Sequence, residues 1–493
     1  MLLALILLPA VAGAAAFFIP STAFRRGLLV FVAFVHAGLT GVAWFREPAA
    51  ALSGWLRLDD SGLLFLSITS GLFLAAAVYA LGYLAAESKD EMTDLEEHFL
   101  FRNAPEAGFV GCLLLFLAAM TLVTVSRHLG LLWIAIEATT LFSAPLIYFH
   151  RHHRSLEATW KYLLICSVGI ALALLGTFFV GVAAVSGGGA RSSLVIDELL
   201  QTANSLNPMW LRAAFALMLV GYGTKMGLAP LHTWLPDAHS ESPSLVSALL
   251  SGALLNCAFL GILRMQQICT AGGQGEFSQK VLLALGLLSV VVAAVFVVGQ
   301  TDFKRLLAYS SVEHMGLLAI GVGLGPAGVF GAFFHALNHS VAKAMLFLLA
   351  GNVLSRYGTK SIVQVRGLVR AAPGTGLLWV AGFLAITGTP PFGLFFSKFL
   401  ILKAAFDGGH WLVGVMLLVL LAVIFIAMAT ACLGMAQGIP DSKQPRPGPG
   451  HGWLTVVPSA ALAAVALAFG IGIPPGLAHV LSAAAQAVGG VIL

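Results

Sequence analysis

The chain has 493 residues, of which 59% are hydrophobic and only 10% are charged. Soluble domains carry about 25% charged residues, so this chain cannot clothe itself in polar surface. That excludes a soluble enzyme, a disordered protein and a nucleic-acid binder, and leaves a polytopic membrane protein whose first partner is the lipid bilayer. The net charge of +5 does not mark a patch for an acidic partner, because the basic residues are spread over many loops.

Fourteen apolar stretches are long enough to span a bilayer: 2–19, 27–45, 62–86, 107–126, 130–149, 160–186, 209–236, 243–265, 280–299, 306–324, 327–354, 374–405, 411–437 and 453–473. All should be helices, because a chain in hydrocarbon must satisfy its backbone hydrogen bonds internally. The N-terminus lacks a basic leader and reads as a first membrane helix rather than a cleaved signal. The tail 474–493 is weakly apolar and stays unassigned. The expected fold is therefore all-α and polytopic, with about 14 transmembrane helices.

With fourteen spans the loops alternate between two sides. Odd loops hold 14 Lys and Arg residues, whereas even loops and their flanks hold 8. The positive-inside rule puts the odd loops in the cytoplasm and both termini outside. The third loop instead carries Glu87, Asp90, Glu91, Asp94, Glu96, Glu97 and Glu106, which reads first as a solvated loop. Five scattered cysteines without a CxxC pattern give no disulfide framework or iron–sulfur site. No NAD, flavin, haem or metal motif is visible, so no cofactor is expected in this chain.

Two spans are interrupted. The seventh contains Gly221 to Pro236 with Pro230 and Lys225; the twelfth contains Thr387 to Lys398 with Pro390 and Pro391. Proline removes a backbone donor and clashes with the preceding turn, so both helices should break there. They lie five spans apart, an odd offset that gives them opposite orientations. Paired broken helices in inverted repeats point to a transport path. The organisation expected is an N-terminal three-helix segment (1–106), two inverted five-helix repeats (107–265, spans 4–8, and 280–437, spans 9–13) and a C-terminal helix and tail (453–493).

Glu137, Lys161, Lys225, Lys343 and Lys398 fall inside spans. A charged residue at mid-bilayer costs about 2.5–3.5 kcal/mol on insertion scales. One such residue reads as half of a structural ion pair; five strung through both halves read as a path. Lysine can release a proton where arginine cannot, which suits all four internal basic sites. His335, His339 and Lys343 fall four residues apart and share one face of a helix. With Asn338 beside them they suit a hydrated proton relay. Glu313 and His314 add a second relay point, and His232 and His239 flank the break in the seventh span.

These motifs resemble the antiporter-like subunits of respiratory complex I and of Mrp-type cation/proton antiporters. The likeness runs over roughly residues 60–440 and rests on Glu137, Gly227–His239, Ser310–Gly316, the His335/His339/Lys343 stripe and Gly388–Phe392 running on to Lys398. It implies a Glu137–Lys225 ion pair whose rearrangement moves protons, a bridging role for Lys343 and terminal exchange at Lys398. Asn256 stands where relatives often have Lys or His, and Glu313 where they commonly have a small residue. Both departures look most like component F of hydrogenase-4. The resemblance thus implies a proton-translocating subunit of a membrane-bound [NiFe] hydrogenase of formate-hydrogenlyase type. Its partners would be other membrane subunits and a soluble hydrogenase with iron–sulfur proteins, with protons or sodium as cargo. The alternatives are a pump subunit of a complex I-type quinone reductase, an Mrp-type antiporter subunit, and a scaffold without transport.

Overall fold

The computed structural model describes residues 1–87, 92–93, 100–188, 193–439 and 452–490. The acids from Asp90 to Glu97, apart from the backbone of 92–93, lie outside that set. The N-terminal segment holds α1 (Leu2–Ala16), α2 (Thr22–Ala43) and α3 (Asp60–Ala86). Then come α4 (Glu106–Val125), α5 (Leu129–Ile147), α6 (His153–Ser186), the short α7 (Ile196–Gln201), α8 (Pro208–Met226) and α9 (Trp234–Glu241). Next, α10 (Ser244–Leu249) runs through a π-turn at Leu250–Leu254 into α11 (Leu255–Ala271), and α12 (Gly275–Val297), α13 (Phe303–Gly323) and α14 (Pro326–Tyr357) follow. The remainder is α15 (Leu368–Ala371), α16 (Pro373–Thr387), α17 (Gly393–Asp407), α18 (Trp411–Ala436), α19 (Trp453–Ile471) and α20 (Pro475–Ala487). A two-residue ladder, Met92–Thr93 with Leu100–Phe101, is the β-structure named among the described residues.

Eleven of these helical runs are individually long and apolar enough to cross a membrane. The seventh and twelfth stretches are each two shorter helices, α8–α9 and α16–α17. The unassigned tail forms α20, whose Leu477, Val480, Leu481 and Ala484 are buried. Backbone bridges join loops of like parity. Leu56 pairs with Ser126 and His128 with Val195 on one side, while Asn103 pairs with His150 and Asp302 with Ser361 on the other. The chain therefore crosses back and forth between two layers of loops.

Burial sorts the helices by role. The most apolar windows of α10–α11, α13 and α14 are wholly buried, whereas that of α18 is only 22% buried. Trp411, Leu412, Val415, Val419 and Ile426 point outward from α18, as do Trp160, Leu164 and Val168 from α6. Such an apolar outer face suits lipid or a neighbouring membrane subunit. The stripe-bearing α14 sits at the centre, so its polar residues are shielded from lipid by protein. Small residues allow the closest packing: a Cβ on Gly221 of α8 would lie 2.5 Å from the Gly169 carbonyl of α6.

Candidate proton path

α8 ends because Gly227 takes a left-handed cap (φ +84) and Pro230 follows. The indole of Trp234 donates to the Thr224 carbonyl at 2.9 Å, adding to the bond that this carbonyl takes from the Gly227 N–H. This places Lys225 in the last helical turn, where the carbonyl end of the dipole favours a cation. Lys225 is fully buried. Its ammonium donates to Thr140 Oγ1 at 2.8 Å and to the Tyr162 hydroxyl, and lies 4.4 Å from the Tyr162 ring centre. Glu137 is one turn back from Thr140 on α5. It accepts from Thr140 at 3.3 Å and from Ser167 of α6 at 3.1 Å. The expected direct Glu137–Lys225 ion pair is thus not made. Thr140 stands between the two charges as a shared hydroxyl.

On α14, His335, His339 and Lys343 are all fully buried. Lys343 donates to the Leu307 carbonyl of α13 at 2.6 Å. His239, from α9, stacks on Phe347 one turn beyond Lys343, with ring centres 4.8 Å apart. Asn256 donates to Ser340 of α14 at 2.6 Å and to the Gly252 carbonyl at 2.8 Å, so it joins α11 to the central helix. It sits just after the π-turn, a distortion frequent at functional sites. Both ring nitrogens of His239 and His339 lack a protein partner, as does Asn256 Oδ1. Buried polar groups ordinarily find a partner, and water is the one left to these.

In the second half, His314 Nδ1 and His335 Nε2 are 2.8 Å apart, and His335 Nδ1 meets Ser397 Oγ at 2.9 Å. The rings of His314 and His339 are 4.9 Å apart. Lys398 forms an ion pair with Glu313 at 2.9 Å. α17 can approach α14 this closely because Gly393 has no side chain: a Cβ there would be 2.0 Å from Asn338 Oδ1. Proceeding along the packed helices α8, α11, α14 and α17, a line of protonatable or hydrogen-bonding groups crosses the protein interior. Lysine and histidine in such a line can pass protons through bound water.

Two expected residues sit elsewhere. Lys161 is not part of the buried line. It lies near the start of the 34-residue α6 on its outward face, and pairs with Glu157 at 2.6 Å and Asp237 at 3.1 Å. The apolar sequence around it hid its position on the helix face. His232 lies in the turn between α8 and α9, its ring near Phe296 and Tyr309. Conversely, sequence reading assigned Lys304 to a loop. It is 1% exposed and donates to the carbonyls of Ser240 and Ser242, at 3.0 and 2.6 Å, at the end of α9. Thr140, Tyr162 and Ser397 were also missed, since an isolated hydroxyl in a span carries no signal of its own.

The fold and this site define an antiporter-like membrane subunit. The chain belongs to the NADH:quinone oxidoreductase/Mrp antiporter membrane family, whose model matches residues 126–425. A hydrogenase-4 component F homolog from Methylacidiphilum infernorum is 35% identical over 381 residues, covering 77% of each chain. NADH-quinone oxidoreductase subunit N of Deinococcus radiodurans is 31% identical, covering 77% of this chain and 73% of that one. Among solved structures, a chain of the archaeal membrane-bound sulfane sulfur reductase matches with a TM-score of 0.87 at 22% identity, covering 99% of this chain and 98% of that one. A chain of Thermus thermophilus complex I matches with a TM-score of 0.77 at 26% identity, covering 98% and 100%.

Proposed function

We propose that this chain is the proton-translocating subunit of a membrane-bound [NiFe] hydrogenase complex of the hydrogenase-4 type. The observation that carries the transport reading is the buried line of lysines and histidines through both halves, with Glu137 and Lys225 at one end and Lys398 at the other. A scaffold would bear the insertion cost of these groups for nothing. The hydrogenase assignment is supported by the component F homolog and by Asn256 and Glu313. Redox chemistry would occur in soluble partner subunits. A charge or shape change there would move Glu137 relative to Lys225 and drive protons past Lys343 towards Lys398, with His239, Asn256, His339, His314 and His335 carrying the relay. The odd loops would face the cytoplasm and both termini the outside.

A pump subunit of a quinone-reducing complex is the second reading, favoured by the 31% identity to subunit N. Tagging the chain, extracting it gently and identifying what co-purifies separates the two. A [NiFe] large subunit with iron–sulfur proteins is the expected result. A quinone-reductase set would keep the pump and replace its power source, and Mrp-like membrane subunits alone would remove the redox link.

A further inference from the structure

Each half of the chain has one broken helix carrying a lysine and, two spans earlier, a helix carrying a glutamate. In the first half these are α8–α9 with Lys225 and α5 with Glu137. In the second they are α16–α17 with Lys398 and α13 with Glu313. Both breaks open on a left-handed glycine, Gly227 at φ +84 and Gly388 at φ +81. Lys398 folds back onto its break: its ammonium reaches the Thr387 and Ile386 carbonyls, at 3.3 and 3.5 Å, which α16 leaves free where it ends. Glu313 is therefore the counterpart of Glu137, although sequence reading treated it only as a relay point.

The two pairs are in different states. Glu137 and Lys225 are separated by Thr140, and each bonds to hydroxyls. Glu313 and Lys398 are in direct contact at 2.9 Å, and Glu313 is 1% exposed. Charge–charge contact away from bulk water holds an ammonium far more strongly than neutral hydroxyls do. The histidine relay also ends at this contact. His314 follows Glu313 in sequence, Ser397 precedes Lys398, and His335 joins the two at 2.8 and 2.9 Å.

We propose that Glu313 and Lys398 form a second carboxylate–lysine switch, the gate at the far end of the path, closed while the Glu137–Lys225 pair is open. The proposal rests on the proton-transport reading and adds to it. With the gate closed, the proton on Lys398 is retained. When Glu313 turns away, Ser310, already 3.5 Å from its Oε2, is the group at hand to bond it. Lys398 then gives one proton to water beyond the gate and is reloaded with one from the histidine relay; no other bond changes. The closed pair also keeps the path from leaking between turnovers.

The test uses the whole complex in liposomes, with net proton uptake read during hydrogen turnover and passive proton leak read under an imposed pH gradient without hydrogen. Glu137→Gln checks the underlying reading by itself: if it pumps as wild type, the transport path is wrong whatever Glu313 does. Given a Glu137→Gln that does not pump, the gate predicts that Glu313→Gln loses roughly tenfold in net uptake per hydrogen turned over and leaks severalfold faster than Glu137→Gln, because the Lys398 ammonium is no longer held. Glu313→Asp should recover part of both. Wild-type pumping in Glu313→Gln, or lost pumping without added leak, overturns the gate and leaves Glu313 a plain relay or structural residue. Should Glu313→Gln fail to assemble, Glu313→Asp takes its place, because it keeps the charge but shortens its reach to Lys398. The gate predicts lower net uptake and added leak there too, and a Glu313→Asp complex with wild-type uptake and wild-type leak overturns it.

Discussion

Thr140 lies between the two charges of the first half. It receives a hydrogen bond from Lys225 and donates one to Glu137, so it couples two charges that do not touch. Hydrogen bonds to charged groups are worth about 1.5–3 kcal/mol, and each 1.4 kcal/mol is tenfold in an equilibrium. Thr140→Val should therefore lower proton transport roughly tenfold or more, while Thr140→Ser stays close to wild type. Uptake by the complex in liposomes checks this, and a Val variant as active as the Ser variant would mean that the hydroxyl is incidental. Glu137, Lys225, Lys343 and Lys398 were legible in the sequence because a charge in an apolar run is conspicuous. Thr140 and Tyr162 were not, because hydroxyls are common in membrane helices and only the fold shows which ones face a lysine. Lys161 misled for the complementary reason: depth along the sequence says nothing about which side of a helix a residue faces.

At the level of elements, the broken helices explain why the lysines sit where they do. Gly and Pro at mid-span announced both breaks in the sequence. What they could not announce was that Lys398, ten residues past Gly388, would fold back onto the end of α16. Gly227 is needed at its position because L side chains avoid φ +84, and because a Cβ would meet Leu235 Cδ1 at 2.5 Å. Gly227→Ala should cost about 1–3 kcal/mol and displace Lys225 from Thr140. Thermal unfolding of the purified complex reads the first effect, and proton uptake the second. An unchanged melting temperature would show that the turn relaxes without cost. Periodicity likewise located α14 and its stripe. The π-turn before Asn256 was invisible, since no residue type marks it; it packs close to α14, where a Cβ on Gly252 would lie 3.1 Å from the Ser340 carbonyl.

On the scale of the whole molecule, the N-terminal segment is fastened to the first half by a cluster of charges at one end of the spans. Asp59, which caps α3, accepts from both terminal guanidinium nitrogens of the fully buried Arg264 and also pairs with Arg127 at 3.2 Å. Arg127 in turn pairs with Asp197 before α8. Burial works to raise the Asp59 carboxyl, but Arg264 and Arg127 outweigh it and hold it well below the usual carboxylate range. A depressed carboxyl contributes stability that is present above its unfolded value and lost only as pH falls through the folded one. The clamp should therefore be constant above about pH 5 and fail only in strong acid. Asp59→Asn should destabilise by about 3–5 kcal/mol, because it leaves a buried arginine unpaired, and the loss measured by thermal unfolding should be the same at pH 6 and pH 8. A loss that appears only at one of these pH values would contradict the clamp. The sequence showed none of this network, since its members lie up to 205 residues apart. All of these elements serve one claim, that protons cross the membrane through this chain. The most direct measurement is net proton movement by the purified complex in liposomes during hydrogen turnover, wild type against Glu137→Gln. The variant should assemble, turn over hydrogen and move no protons; a Glu137→Gln complex that pumps as the wild type does would rule out this path.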